Sequence, residues 1–280
     1  MQTGIRGTPA QTLDGGLTMG RYDWHSSVSA VEEDTILVRG YPLTELIEHL
    51  SFSDAAYLVL RGEMPDAASS RLFGACLTAI LDYAVGPAPF AARVVASANP
   101  QLGPAMAAGI LAQGAFAVSP QETGELLKSA LSQVDVGSPE EIVAADVVKQ
   151  YRGAGRRIPG LGHPSTHSAD GRAAALAKVM RETRKWGRAA SMYGAIREQW
   201  ERETSKALEV NVDGMLATAL SELGFEPIEM GGVAALSMLP GIIANTVEEM
   251  KSGVRIRQIQ DLQYTGAPRR HVDTGARRDG

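Results

Sequence analysis

The sequence has little of what usually announces a chemistry at first sight: of its 280 residues one is cysteine, five are histidine and 5 % are aromatic. The single Cys76 excludes an intrachain disulfide and agrees with a reducing compartment. It sits in an apolar run with no histidine nearby, which reads as a buried structural thiol rather than a nucleophile. No strong charge of either sign is present. The net charge is -5, from 27 basic and 32 acidic residues, and the basic ones are scattered except near the C-terminal end. Nucleic acid is therefore not an expected partner. The first twenty residues lack a basic stretch followed by an apolar one, so no signal peptide is read and a cytoplasmic location is expected. Apolar runs are broken by charge or glycine short of the about 20 residues that a membrane span needs, the longest being residues 231–246. No membrane helix is expected, and there is no internal repeat or low-complexity linker.

What is present is helix. Hydrophobic residues make up 44 % of the chain, enough to fill a full core. Residues 1–35, rich in Gly, Thr and Asp, read as an irregular arm held to the body by Trp24. Beyond them, Ser53 precedes an apolar run that ends at Gly62 and Pro65, and Asp66 opens a long Ala/Leu-rich segment that stops near Gly86 and Pro87. Pro104 fits the first turn of a helix over 105–118, Ser138 with Glu141 forms a capping box for 140–151, and Asp170 starts 172–183. Helical patterns continue at 198–209, 212–223 and 233–250. Short strand-like stretches occur only at 35–38 and 255–259, so the fold class is all-α.

Candidate chemistry is sparse. Gly153, Gly155, Gly160 and Gly162 lie among Arg152, Arg156 and Arg157, but the spacing is not that of a phosphate-binding loop and no strand leads into it. His163 and His167 are four apart in GHPSTH. Pro164 and the preceding glycines argue against a helix there, so no metal site is expected. His163 either satisfies backbone groups in a tight turn or, held between Gly and Pro, serves as an acid/base group. Asp213, at the start of an apolar helix, is either a cap or a proton carrier. Arg172 opens a helix, where a cation gains nothing from the dipole; it is either a solvated arginine or the partner of an anion.

Arranged along the chain, these residues resemble the citrate synthase superfamily, and within it the branch of citryl-CoA lyase and the lyase module of ATP-citrate lyase. Residues 24–27 and RGYPLTELIEHLSFSDAAYLVLRGEMP, residues 39–65, are similar to the family's opening segment. RRIPGLGHP, residues 156–164, is similar to the loop bearing the catalytic histidine. Asp170 and Arg172 follow at the spacing of the D-P-R element, with Gly171 in place of the proline. NVDG, residues 211–214, resembles the segment of the catalytic aspartate, and RIRQIQDLQYTG near the end resembles the CoA-proximal tail.

The resemblance implies a large helical domain (1–118 and 225–280), a smaller helical domain (119–224), closure between them, and a homodimer. It implies an acyl-CoA substrate with a small oxo or hydroxy acid, and carbon–carbon lyase or synthase chemistry. His163 would exchange a proton with the oxygen at the bond made or broken, and Asp213 with the thioester α-carbon. Arg172, with His167, would bind substrate, and Arg156, Arg157, Arg255 and Arg257 would lie toward CoA. Two positions depart from the pattern: Ala117 occupies the place of a histidine that hydrogen-bonds the enolate oxygen, and Met238 that of a carboxylate-binding arginine. A citrate or methylcitrate synthase, or a non-catalytic CoA-binding or partner subunit of the same fold, are the alternative readings.

Overall fold

The computed structural model describes residues 25–114, 117–162 and 170–271. In chain order the described elements are β1 (Ser29–Glu32), β2 (Thr35–Val38), β3 (Tyr41–Pro42), α1 (Leu43–His49), α2 (Phe52–Arg61), α3 (Ala67–Thr78), α4 (Pro87–Ala98), α5 (Leu102–Leu111), α6 (Pro120–Asp135), α7 (Glu140–Gly153), α8 (Gly171–Glu182), α9 (Arg188–Thr204), α10 (Val212–Glu222) and α11 (Pro227–Ser252). The fold is helical, with one small antiparallel sheet in the order β1-β2-β3.

The chain divides into two compact units. The first comprises residues 1–80 and 119–237. Its central element is α10, whose residues from Gly214 to Leu220 are all buried. Around α10 pack α3, α6, α8 and α9. A helix enclosed on every side must be apolar all round, and MLATAL meets that condition with small residues where neighbours come close. Phe73 and Phe225 stack at 5.4 Å, and Tyr57 meets both edge-on. Cys76 is buried, and burial pushes its thiol up to about 12; it is structural, as expected.

The second unit comprises residues 81–118 and 238–280. Its core gathers Ala88, Ala92 and Ile242, with Met106 and Met238 packed against them. Gly109 lets α5 approach this core, because a Cβ there would lie 2.8 Å from Ile242 Cγ2 and 3.2 Å from the Ala88 carbonyl oxygen. The run 231–246 falls inside α11, whose 26 residues are long and apolar enough, by length and composition alone, to cross a membrane. Its buried positions are those of a core helix: in the first unit Ser237 Oγ donates to the Leu77 carbonyl, and in the second the carboxylate of Glu249 is fully buried between arginines.

Several local expectations are corrected. The 1–35 segment contains β1, and Trp24 lies outside the described residues. Ser51, not Ser53, caps α2. The segment opened by Asp66 ends at Thr78, and Gly86 with Pro87 begins α4 rather than ending a helix. The helix expected over 105–118 spans Leu102–Leu111 and stops before Ala117. The capping box at Ser138 does not form, since Pro139 is the cap residue of α7 and no side chain caps it. The helix placed at 198–209 is Arg188–Thr204, terminated at Ser205 in the left-handed conformation. Residues 255–259 form no strand. α1, α4 and α6 had no counterpart among the expected helices.

Candidate functional site

The site is best built from the loop between α7 and α8. After α7 the backbone turns through Gly155 (φ +62), and the Arg156 N–H donates to the Tyr151 carbonyl at 2.9 Å. Ile158 and Leu161 then plug the loop into the core at 2 % and 6 % exposure. Between them the Pro159 carbonyl accepts from the hydroxyl of the buried Tyr193 at 2.6 Å. Burial, with smaller contributions from its surroundings that include the charge of Asp213, pushes the Tyr193 phenol well above its ordinary pKa, so it acts as a neutral donor.

Gly160 and Gly162 both have positive φ, +77 and +79. Gly160 is also required for space: a Cβ there would lie 2.3 Å from Tyr193 Oη and 2.5 Å from Gly214 Cα. The loop thus lies backbone-to-backbone on the start of α10. The Asn211 N–H donates to the Gly160 carbonyl at 2.9 Å, the Gly162 N–H to the Glu209 carbonyl at 2.8 Å, and Asn211 Nδ2 to the Gly162 carbonyl at 2.8 Å. Leu161 and Val210 form an isolated antiparallel bridge. His163 follows Gly162 in sequence; His163 and His167 themselves lie outside the described residues.

Asp213 stands on this junction without being the helix cap. The cap is Asn211, whose Oδ1 accepts from the Gly214 N–H at 3.0 Å. This overturns the capping alternative for Asp213. The residue is half-buried in the first turn of α10, with Oδ1 buried, and Oδ2 accepts from the Ser119 N–H at 3.4 Å.

Arg172 lies beside the same helix start. Its guanidinium bonds Asp170 through Nε at 3.0 Å and Nη2 at 2.9 Å, so Asp170 is an anion that this arginine meets. Arg156 and Arg157 are exposed, and the Arg156 guanidinium lies 5.2 Å from the Tyr151 ring centre. Arg156 borders a pocket of about 330 Å³ to which Glu122, Glu125, Tyr151 and Gln150 also contribute. Two carboxylates beside one guanidinium offset the positive charge there.

In the second unit Ala117 pairs with Gly114 through reciprocal backbone bonds of 2.9 and 3.0 Å, and Met238 belongs to the packed cluster around Ile242. Arg255 is exposed. Arg257 bonds Glu249 through Nε at 2.6 Å and Nη2 at 2.8 Å, and Arg93 Nε meets the same carboxylate at 2.9 Å. These arginines, Arg257 foremost, hold the Glu249 carboxyl below its ordinary range despite burial. Among the described residues no group of three or more His, Cys, Asp or Glu side chains is placed to hold a metal ion.

Sequence reasoning passed over Asn211, Tyr193, Ser119 and Glu249. Asn211 carried a usable signal, an Asn directly before an apolar helical run. Tyr193 carried none, because its partner Pro159 is distant in sequence, and Glu249 carried none, because Arg257 lies beyond the end of its helix and Arg93 is distant in sequence.

This architecture has counterparts among solved structures. Citryl-CoA lyase from Hydrogenobacter thermophilus superposes with a TM-score of 0.81 at 29 % identity, over 89 % of this chain and 97 % of that one. ATP citrate lyase from Methanothrix soehngenii, in complex with citrate and coenzyme A, superposes with a TM-score of 0.74 at 17 % identity, over 89 % of this chain and 43 % of that one. Citrate synthase from Pyrobaculum aerophilum gives 0.58 at 23 % identity, over 78 % and 55 %. Residues 69–258 match the family of the citrate synthase C-terminal domain, and with most of its length matched the chain belongs to the citrate synthase family.

Proposed function

We propose that this chain is an enzyme that binds an acyl-CoA and makes or breaks the carbon–carbon bond next to the thioester, in the manner of citryl-CoA lyase. The observation that carries the reading is the placement of Asp213. Its helix is capped by Asn211, and the carboxylate stands where the loop leading to His163 is laced onto α10. The likeness to a citryl-CoA lyase over nearly that protein's whole length supports it.

In the cleavage direction His163 takes the hydroxyl proton of the substrate, the bond opens to the enolate of the acyl-CoA, and Asp213 protonates the α-carbon. Synthesis is the same path reversed. Arg172, held by Asp170, binds the carboxylate of the second fragment with His167 alongside, and Arg156, Arg157 and Arg255 attract the CoA phosphates. Arg257 spends two of its guanidinium donors on Glu249 and contributes through the others. With Met238 part of a packed apolar cluster, the second fragment is less acidic than oxaloacetate. The protein works as a homodimer; exposed apolar side chains in the second unit, Phe90 at 68 % and Leu111 at 83 %, support an interface there.

The test is calorimetric titration with CoA and acyl-CoAs, followed by cleavage and condensation assays across citryl-CoA and several oxo acids. Binding, together with turnover of a monocarboxylic 2-oxo acid or other ketone above that of oxaloacetate, is expected. No heat with CoA or any acyl-CoA would remove the reading. Binding without chemistry would select the non-catalytic subunit, the reading favoured by Ala117.

A further inference from the structure

Removing a proton next to a thioester places negative charge on the thioester oxygen, and that oxygen needs a hydrogen-bond donor if the enolate is to form at a useful rate. The side chain of Ala117 can donate nothing. One residue further along the chain, Val118 adopts φ +59. A β-branched residue in the left-handed region costs roughly 1–2 kcal/mol, and such strain persists only where the surroundings impose it. Directly after it, the backbone N–H of Ser119 meets Oδ2 of Asp213 at 3.4 Å.

Ser119 occupies the cap position of α6, with φ -124 and ψ 65, yet its hydroxyl makes no capping bond. Serine is among the favoured caps because its oxygen ordinarily accepts from the first turn. Here Pro120 takes the first helical position, removing one N–H that would need a partner. Ser119 is thus a half-buried residue whose backbone N–H meets the carboxylate directly after a strained residue, and its hydroxyl does none of the capping its position would assign it.

We propose that the Ser119 hydroxyl donates the hydrogen bond to the enolate oxygen of the acyl-CoA whose α-carbon exchanges its proton with Asp213. The inference rests on the function proposed above. A thioester oxygen lies about 2.4 Å from its α-carbon, so an acyl group bound at Asp213 brings that oxygen within reach of Ser119. In the step the α-proton passes to the Asp213 carboxylate, the C–H electron pair becomes the new C=C bond, and the carbonyl π pair moves onto oxygen. The Ser119 O–H shares its proton with that oxygen and transfers nothing; the return step reverses each movement.

The experiment follows exchange of the α-hydrogens of acetyl-CoA and propionyl-CoA in deuterated water by NMR, with the full-length protein. Ser119→Ala is expected to slow exchange by about 100-fold or more while CoA affinity by calorimetry and the melting temperature stay near wild type. Ser119→Thr, which keeps a hydroxyl, is expected to recover much of the rate. Wild-type exchange in Ser119→Ala, with Asp213→Asn inactive, would overturn the role of Ser119 and leave the proposed function standing. Equal loss in the Ala and Thr variants, or a loss that merely tracks weaker CoA binding, would also overturn it. A wild-type protein that binds acyl-CoA but never exchanges its α-hydrogens would overturn the function and this role together.

Discussion

Asp170 and Arg172, two residues apart, form a forked ion pair in which one carboxylate does several tasks. It accepts from the Arg172 guanidinium at 3.0 and 2.9 Å, caps α8 through the Arg172 N–H at 3.0 Å, and reaches α10 to accept from the Val212 N–H at 3.0 Å. The helix that carries the proposed substrate arginine in its first turn is thereby tied to the residue preceding Asp213. Burial opposes the charge on Asp170, but the Arg172 side-chain and backbone bonds and the Val212 N–H together outweigh it, so its carboxyl lies below the ordinary range.

Asp170→Ala is expected to cost about 2–4 kcal/mol near neutral pH: about 1 for the cap and about 1–3 for the Val212 N–H left without an acceptor. Because the folded-state pKa is depressed, the stabilisation is present above the unfolded value of about 4 and is lost as pH falls through the folded one. Denaturant titrations of wild type and variant should converge below about pH 4. A gap unchanged between pH 7 and 3 would contradict the assignment.

The contact between Gly160 and Gly214 makes a second prediction, with its own control. A Cβ on Gly214 would lie 2.6 Å from the Gly160 carbonyl oxygen and 2.7 Å from Tyr193 Oη, and neither the backbone nor the packed ring can retreat cheaply. Gly214→Ala and Gly160→Ala should each cost about 1–3 kcal/mol from overpacking, with a further penalty at Gly160 for its positive φ. Gly194 in α9 has nothing within 4 Å of such a Cβ, so Gly194→Ala should stabilise by about 0.5–1 kcal/mol. Thermal melts of the three variants decide it.

These glycines show how far the sequence could be read. RRIPGLGHP and NVDG were singled out separately, and the family resemblance placed them in one site. That Gly160 touches Gly214 is a property of two segments more than fifty residues apart, and no local pattern encodes it. Helices with a strong internal signal were legible: Asp170 before α8 and the apolar run of α10. α4 was not, because Gly86 and Pro87 read equally well as the end of one helix and the start of the next. α6 opens on Ser119 and Pro120, where the hydroxyl that would mark a cap makes no capping bond. Asp213 was ambiguous for a similar reason. Asn and Asp are both good caps, and the choice between Asn211 and Asp213 rests on backbone geometry.

Glu249 offers a third prediction. Its carboxylate is fully buried and shared by Arg93 and Arg257, and Arg93 also reaches Asn245 and Glu248. Removing one partner of such a cluster leaves charge without compensation. Glu249→Gln should therefore lower the melting temperature more than Arg257→Gln, and the double variant should fall short of the summed losses. Additive losses would show that the two side chains are not coupled.

The last prediction separates the two residues that share the start of α10. Asn211 caps the helix and bonds the Gly162 carbonyl, so Asn211→Ala should cost about 1–2 kcal/mol and loosen the loop that leads to His163. Asp213 is not the cap, and Asn in its place keeps an oxygen to receive the Ser119 N–H, so Asp213→Asn should change stability by less than about 1 kcal/mol. On function the order reverses. Asp213→Asn removes the base for the α-carbon and should abolish exchange of acetyl-CoA hydrogens with deuterated water, whereas Asn211→Ala should retain part of it. His163→Ala should spare more of the exchange than Asp213→Asn and still block carbon–carbon chemistry, since the oxygen-side proton is needed only when the second fragment joins or leaves. An Asp213→Asn protein that melts early yet exchanges normally would make Asp213 a structural residue and return its proposed role to another group.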